Sequence, residues 1–209
     1  MGDFENFEDE KQYELDNIWE NYPSDFIFKS SKDHKEKVHK KILSLHSPIW
    51  KGMITSKNSP EYKSGCLVLE DVKLTSMKGL VHYLYDQHYE WMRLNFNARP
   101  RYFADLWNLA ENYQVKNMKA AVKSEFRAFT EPDSGEKYED EPWRYARDAV
   151  DVVCKARDFP DELWLEMVKE WAKFRSNCQP SEREEVEKIV NSHAAFARAV
   201  RDEAARGGY

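Results

Sequence analysis

With 209 residues the chain has room for one large domain or for one domain with an appendage, and seven Trp, eleven Tyr and eleven Phe supply enough buriable area to exclude disorder throughout. A formal charge of −6 opposes binding to phosphate backbones, which depends on clustered Lys and Arg. No run approaches the roughly 18 apolar residues of a membrane span, the opening MGDFENFEDE is acidic where a signal peptide is basic and then apolar, and Cys66, Cys154 and Cys178 are too far apart and odd in number for a disulfide framework; the expectation is an intracellular protein, cytoplasmic or nuclear, with reduced thiols.

Residues 1–20 hold eight acids against one Lys, and a short helix is expected over 12–21, with Leu15, Ile18 and Trp19 at helical spacing. Phe26, Ile27 and Phe28 form a β-type run between Pro23-Ser24 and Lys29-Ser30-Ser31. The following KSSKDHKEKVHKK is locally basic, but Asp33 and Glu36 interrupt it and no aromatic residue is interleaved to stack on bases; a solvated hairpin whose lysines blunt a strand edge is expected. Ile42, Leu43, Leu45, Ile49, Trp50 and Met53 then describe one helical face. Residues 54–65 read as a loop or ragged helix, 66–69 (CLVL) as a strand, and Thr75 as the N-cap of a helix through Met77, Leu80, Val81, Leu84 and Tyr85.

Residues 89–101, YEWMRLNFNARPR, have neither period. Contiguous apolar residues in a connection mark a partner site or fold back over the helices, so Tyr89, Trp91, Met92 and Phe96 are partner-contact candidates, together with Tyr62. Tyr102, Phe103, Leu106, Trp107, Ala110 and Tyr113 form one further helix face, and Met118, Ala121, Val122 and Phe126 another. Residues 131–142 contain six acids, two Pro and a Gly, the composition of a linker. Three amphipathic helices are expected beyond it: 143–157, a second opened by Pro160 and Asp161, and a third opened by a Ser181/Glu184 capping box and running through Val186, Ile189, Val190, Phe196 and Val200. They are too small to be independent and are expected to pack on the first module.

In the stretch from Ser24 to Met53, Ser24-Asp25 opens the strand, His39-Lys40 opens the helix, Leu43 follows four residues after His39, and Ser47, Trp50 and Met53 complete the series. His82-Tyr83-Leu84-Tyr85 and Leu109-Ala110-Glu111-Asn112-Tyr113-Gln114-Val115 then arrive in order. At these residues the chain resembles the BTB (POZ) domain, a protein-interaction module, over roughly residues 20–128. The resemblance implies an α+β fold with a small β-sheet flanked by a cluster of helices. The expected organisation is an acidic segment (1–20), a BTB/POZ domain (21–128), an acidic linker (129–142) and a C-terminal helical extension (143–205), a tail like that of fungal BTB proteins. The resemblance also implies a homodimer. In the family a helix before the first strand packs on its counterpart, which makes Leu15, Ile18 and Trp19 dimer-interface candidates, unless they cap the monomer's own core. Asp25 and Lys40 fall where dimeric members place an acid and a base near the subunit interface, each neutralising the other, although a surface pairing of little energetic weight is the alternative. Many members are adaptors of cullin-type ubiquitin ligases and carry a hydrophobic-x-Glu triplet before the central strand; the matching Tyr62-Lys63-Ser64 has Ser where the acid belongs.

No catalytic constellation emerges, and no cofactor or metal is expected. The six His have no zinc-hydrolase spacing and no Cys-x-x-Cys partner, the glycines form no phosphate loop, and Cys154 sits among apolar neighbours as an inert thiol. The expected function is therefore non-enzymatic protein–protein interaction, as a self-associating module or scaffold. A small-ligand protein or enzyme with a site in the aromatic segment 83–107, around Tyr85, Trp91 and Trp107, is the alternative from another class. Nucleic-acid binding would need the lysines from 29 to 41 on one face.

Overall fold

The computed structural model describes residues 23–85, 94–130 and 143–207. Contacts gather the chain into two compact units: Met1–Leu94 with Asp105–Lys119, and Asn95–Ala104 with Ala120–Tyr209.

The first unit is built on a three-stranded sheet of order β2-β1-β3. β1 (Phe26–Ser30) is central; β2 (Lys35–Val38) pairs with it antiparallel, and β3 (Cys66–Leu69) pairs with it parallel. The tight β1–β2 turn places Asp33 in the left-handed region at φ 63, which a short polar side chain tolerates. Gly65 adopts φ 65 to end a helix, and its carbonyl accepts from the Ile27 N–H at 3.1 Å, starting the β1–β3 pairing. One sheet face is buried: Phe26, Phe28, Val38, Leu67 and Leu69 turn inward against Ile42, Leu43, Trp50, Met77, Leu80 and Leu84. The Phe28 and Trp50 rings lie 5.4 Å apart, and Trp50 is 5.4 Å from Tyr113 on its other side.

The helical stretch after β2 is two helices where the apolar spacing predicted one: α1 (Lys40–His46) and α2 (Pro48–Thr55). The residue before a proline is pushed out of the helical region, and Ser47 is extended at φ −143, ψ 124. Its hydroxyl then caps α2 by accepting from the Trp50 N–H at 3.0 Å and donates to the Tyr113 carbonyl. The predicted ragged segment contains α3 (Pro60–Ser64), capped by Ser59, which accepts from the Tyr62 N–H at 2.9 Å. In α4 (Leu74–Leu84) the N-cap is Lys73, so the expectation of a Thr75 cap is corrected: Thr75 lies inside the first turn.

A 3₁₀ turn (Phe96–Ala98) leads into α5 (Arg99–Asn112), and α6 (Met118–Thr130) follows. The boundary between the units falls within α5 and α6. The helices α7 (Arg144–Lys155), α8 (Asp161–Asn177), α9 (Arg183–Val190) and α10 (Ala194–Gly207) complete the second unit. The helical extension thus clusters with residues 95–104 and 120–130. The third expected tail helix is in fact two, divided at Asn191–His193, and the Ser181/Glu184 box does not form: Glu182 is the N-cap, and its carboxylate folds back to accept from the Gln179 N–H at 2.9 Å. The core of this unit is aromatic. Phe103, Phe126 and Phe129 are fully buried and in mutual contact at 5.5–6.3 Å, while Phe196 of α10 packs against Trp164 and Trp171 of α8.

Candidate functional site

The β1–α1 junction carries the two described dimer-interface candidates. Asp25 and Lys40 do meet, but through a different bond from the one expected: Asp25 Oδ1 accepts from the backbone N–H of Lys40 at 2.8 Å. A carboxylate there satisfies one of the amides that a helix leaves without an intrahelical partner, and it sits at the positive end of the helix dipole. His39, the N-cap residue, makes no side-chain cap bond, so Asp25 performs the capping from outside the helix. The charge therefore has a partner within its own chain, which a pairing of opposite charges read from sequence did not anticipate. Leu15, Ile18 and Trp19 lie outside the described residues.

Beside this cap, Tyr85 ties the end of α4 to the start of α1. Its hydroxyl accepts from the His39 N–H at 3.0 Å and lies 2.6 Å from His39 Nδ1. The one hydroxyl thus meets both the backbone and the ring of His39. Burial, partly offset by the His39 N–H, pushes the Tyr85 phenol up to about 12, so it keeps its proton. Nothing in the His39-Lys40 sequence pointed to Tyr85, forty-six residues away.

Tyr62 is 41% exposed on α3, as a partner-contact residue requires. Neighbouring Ser64 turns its hydroxyl to local work, donating to the Pro60 carbonyl at 2.8 Å and accepting from the Cys66 N–H at 3.3 Å. Phe96 is different: it is half-buried, its ring 5.4 Å from Phe129 and 5.3 Å from Tyr145, with the Arg99 guanidinium 5.0 Å above it. Its ring packs within its own unit, the folded-back arrangement that the sequence offered as the alternative to partner contact. Tyr89, Trp91 and Met92 lie outside the described residues.

The residues proposed for a ligand site in segment 83–107 serve packing where they are described. Trp107 is 6% exposed with the Lys119 ammonium 4.8 Å from its ring, and Tyr85 is 3% exposed and held by His39. Among the described residues no group of three or more His, Cys, Asp and Glu could hold a metal ion. Burial, reinforced by the nearby Asp151 carboxylate, raises the Cys154 thiol to about 12, the opposite of what a nucleophile needs.

In the first unit Asp25 and Ser47 thus cap helices and Tyr85 ties two elements together, and the unit turns outward scattered apolar side chains and charge. The BTB/POZ domain family matches residues 15–129, more than half of the chain, and the chain belongs to that family. Domains of this family mediate protein–protein interaction and are typically non-enzymatic. No curated protein matches the chain.

Proposed function

We propose that the chain is a self-associating, non-enzymatic scaffold that works by presenting its BTB unit to a second copy and to protein partners. The observation that carries this reading is the family match over residues 15–129. The Asp25 carboxylate supports it: with one oxygen engaged by the Lys40 amide, it holds the β1–α1 junction at the position where, by the resemblance, dimeric members meet. Static light scattering over a range of concentrations tests the proposal on the wild type and on Asp25→Ala and Trp19→Ala. The expected outcome is a dimer that dissociates at higher concentration in both variants; a monomer throughout removes self-association while leaving the fold intact.

Tyr62 favours a second reading, that of an adaptor of a cullin-type ligase. An exposed aromatic stands where ligase-binding members place the hydrophobic residue of their triplet, but Ser64 replaces the acid and is engaged locally. A purified cullin-type scaffold should then bind the wild type and lose affinity for Tyr62→Ala; equal binding, or none to either, removes the adaptor reading.

A further inference from the structure

The register of the sheet places a second set of side chains on the face opposite the core. Ile27 stands between Lys37 and Cys66, and Lys29 stands between Lys35 and Val68. These six residues are half-buried or exposed, whereas their neighbours Phe26, Phe28, Val38, Leu67 and Leu69 are buried, so the alternation of the strands separates two faces cleanly. Val68 is 47% exposed in the middle of an edge strand. Lys29 is held by Asp33 at 2.6 Å; Lys35 and Lys37 form no ion pair among the described residues. An acidic chain therefore carries a compact outer face that is basic on one side and apolar on the other.

We infer that this outer sheet face is a docking surface for an acidic peptide carrying interspersed aromatic residues, and that its occupant is residues 3–10 of this chain, DFENFEDE. Charge complementarity carries the assignment: the segment has five acids, two Phe and no base, against three lysines, Ile27, Cys66 and Val68. Carboxylates meeting the lysines and a Phe covering Val68 give each side its partner. Reach permits it, since the 15 residues between the segment and β1 span about 30 Å even with the helix expected over 12–21, about three times the roughly 10 Å across three strands. Nucleic acid suits the face less well. It presents no aromatic ring on which a base would stack, its apolar half offers nothing to a phosphate, and Asp33 already neutralises one of its three lysines.

Paramagnetic broadening in the full chain tests the inference. A nitroxide is attached at Asn6→Cys in a Cys66→Ser background, and amide signals are compared with those of the reduced label. The expected result is a several-fold intensity loss at Ile27, Lys29, Lys35, Lys37 and Val68, relieved by high salt and abolished when Lys29, Lys35 and Lys37 are all changed to Glu. Three results overturn the inference: no selective broadening of these amides, broadening that survives the lysine reversal, or broadening that occurs only between labelled and unlabelled molecules, which makes a second copy the donor. A short DNA duplex that shifts these same amides at physiological salt, with no broadening from position 6, also overturns it and assigns the face to nucleic acid.

Discussion

Glu166 on α8 is 4% exposed, and a carboxylate that deep persists as an anion only because α6 supplies two cations: Lys123 Nζ lies 2.6 Å from Oε2, and Arg127 bonds Oε1. Burial alone would raise its pKa, but Lys123 and Arg127 together outweigh burial and hold the carboxyl below the ordinary range. The cations are not buried to the same degree, with Lys123 43% and Arg127 47% exposed. That asymmetry yields an unequal pair of perturbations. Glu166→Gln leaves Lys123 to rehydrate in place and Arg127 still paired with Glu170 at 3.2 Å, so its expected destabilisation is only about 1 kcal/mol. Lys123→Met/Arg127→Met strands a buried carboxylate, for which about 3–5 kcal/mol is expected, and adding Glu166→Gln to that double variant should restore most of the loss. Acidification separates the cases further. In the wild type the folded pKa lies below the unfolded one, so the stabilisation is complete above the unfolded value and is lost as pH falls through the folded value. In the double variant burial acts unopposed and the folded pKa rises above the unfolded one, so the variant recovers stability relative to the wild type as pH falls. Urea unfolding followed by tryptophan emission, with Trp164 and Trp171 on the same helix, at neutral pH and again within the carboxylate titration range, measures all four proteins. The reasoning is refuted if Glu166→Gln is the more damaging change at neutral pH, or if the double variant weakens on acidification as the wild type does.

Two further outcomes follow from the β1–α1 junction. Asp25→Ala removes the acceptor of the Lys40 amide and should cost about 1 kcal/mol in denaturant unfolding, the usual size of an N-terminal cap, while Asp25→Asn should retain most of it; equal losses would mean that charge, not hydrogen bonding, is what matters there. Tyr85→Phe removes the one oxygen that serves both the backbone and the ring of His39 and should cost about 1–3 kcal/mol, with faster amide exchange at His39; an unchanged midpoint and exchange rate would show the bond to be dispensable.

Alternation and helical spacing were enough to find most of the secondary structure. Phe26-Ile27-Phe28 marked the central strand and CLVL its parallel neighbour, because a strand buried on one side must carry apolar residues on that side. Order along the chain, from His39-Lys40 through Tyr83-Leu84-Tyr85 to Leu109–Val115, was sufficient to reach the family. Boundaries were harder. The break at Ser47-Pro48 was written in the sequence as a pre-proline residue but lay beneath a continuous apolar face, and the division at Asn191–His193 was hidden in the same way, since periodicity reports which side is buried and not whether the helix is continuous.

Composition and periodicity by themselves marked the apolar strand runs, the amphipathic helices and the wealth of aromatic residues, because each of these depends on residue type and local spacing; the α+β fold with its small sheet was what the resemblance to the BTB family implied. Tertiary structure alone decided which partners several of these side chains take. Phe96, which the sequence left between partner contact and folding back, packs against Phe129 and Tyr145; Asp25, read as a charge paired with Lys40, accepts from a backbone amide; Lys29, Lys35 and Lys37 of the locally basic run are aligned by strand register on one sheet face. For Phe96 and Asp25 the deciding partner is remote in sequence or is a backbone group, and neither leaves a local signature in the order of residues.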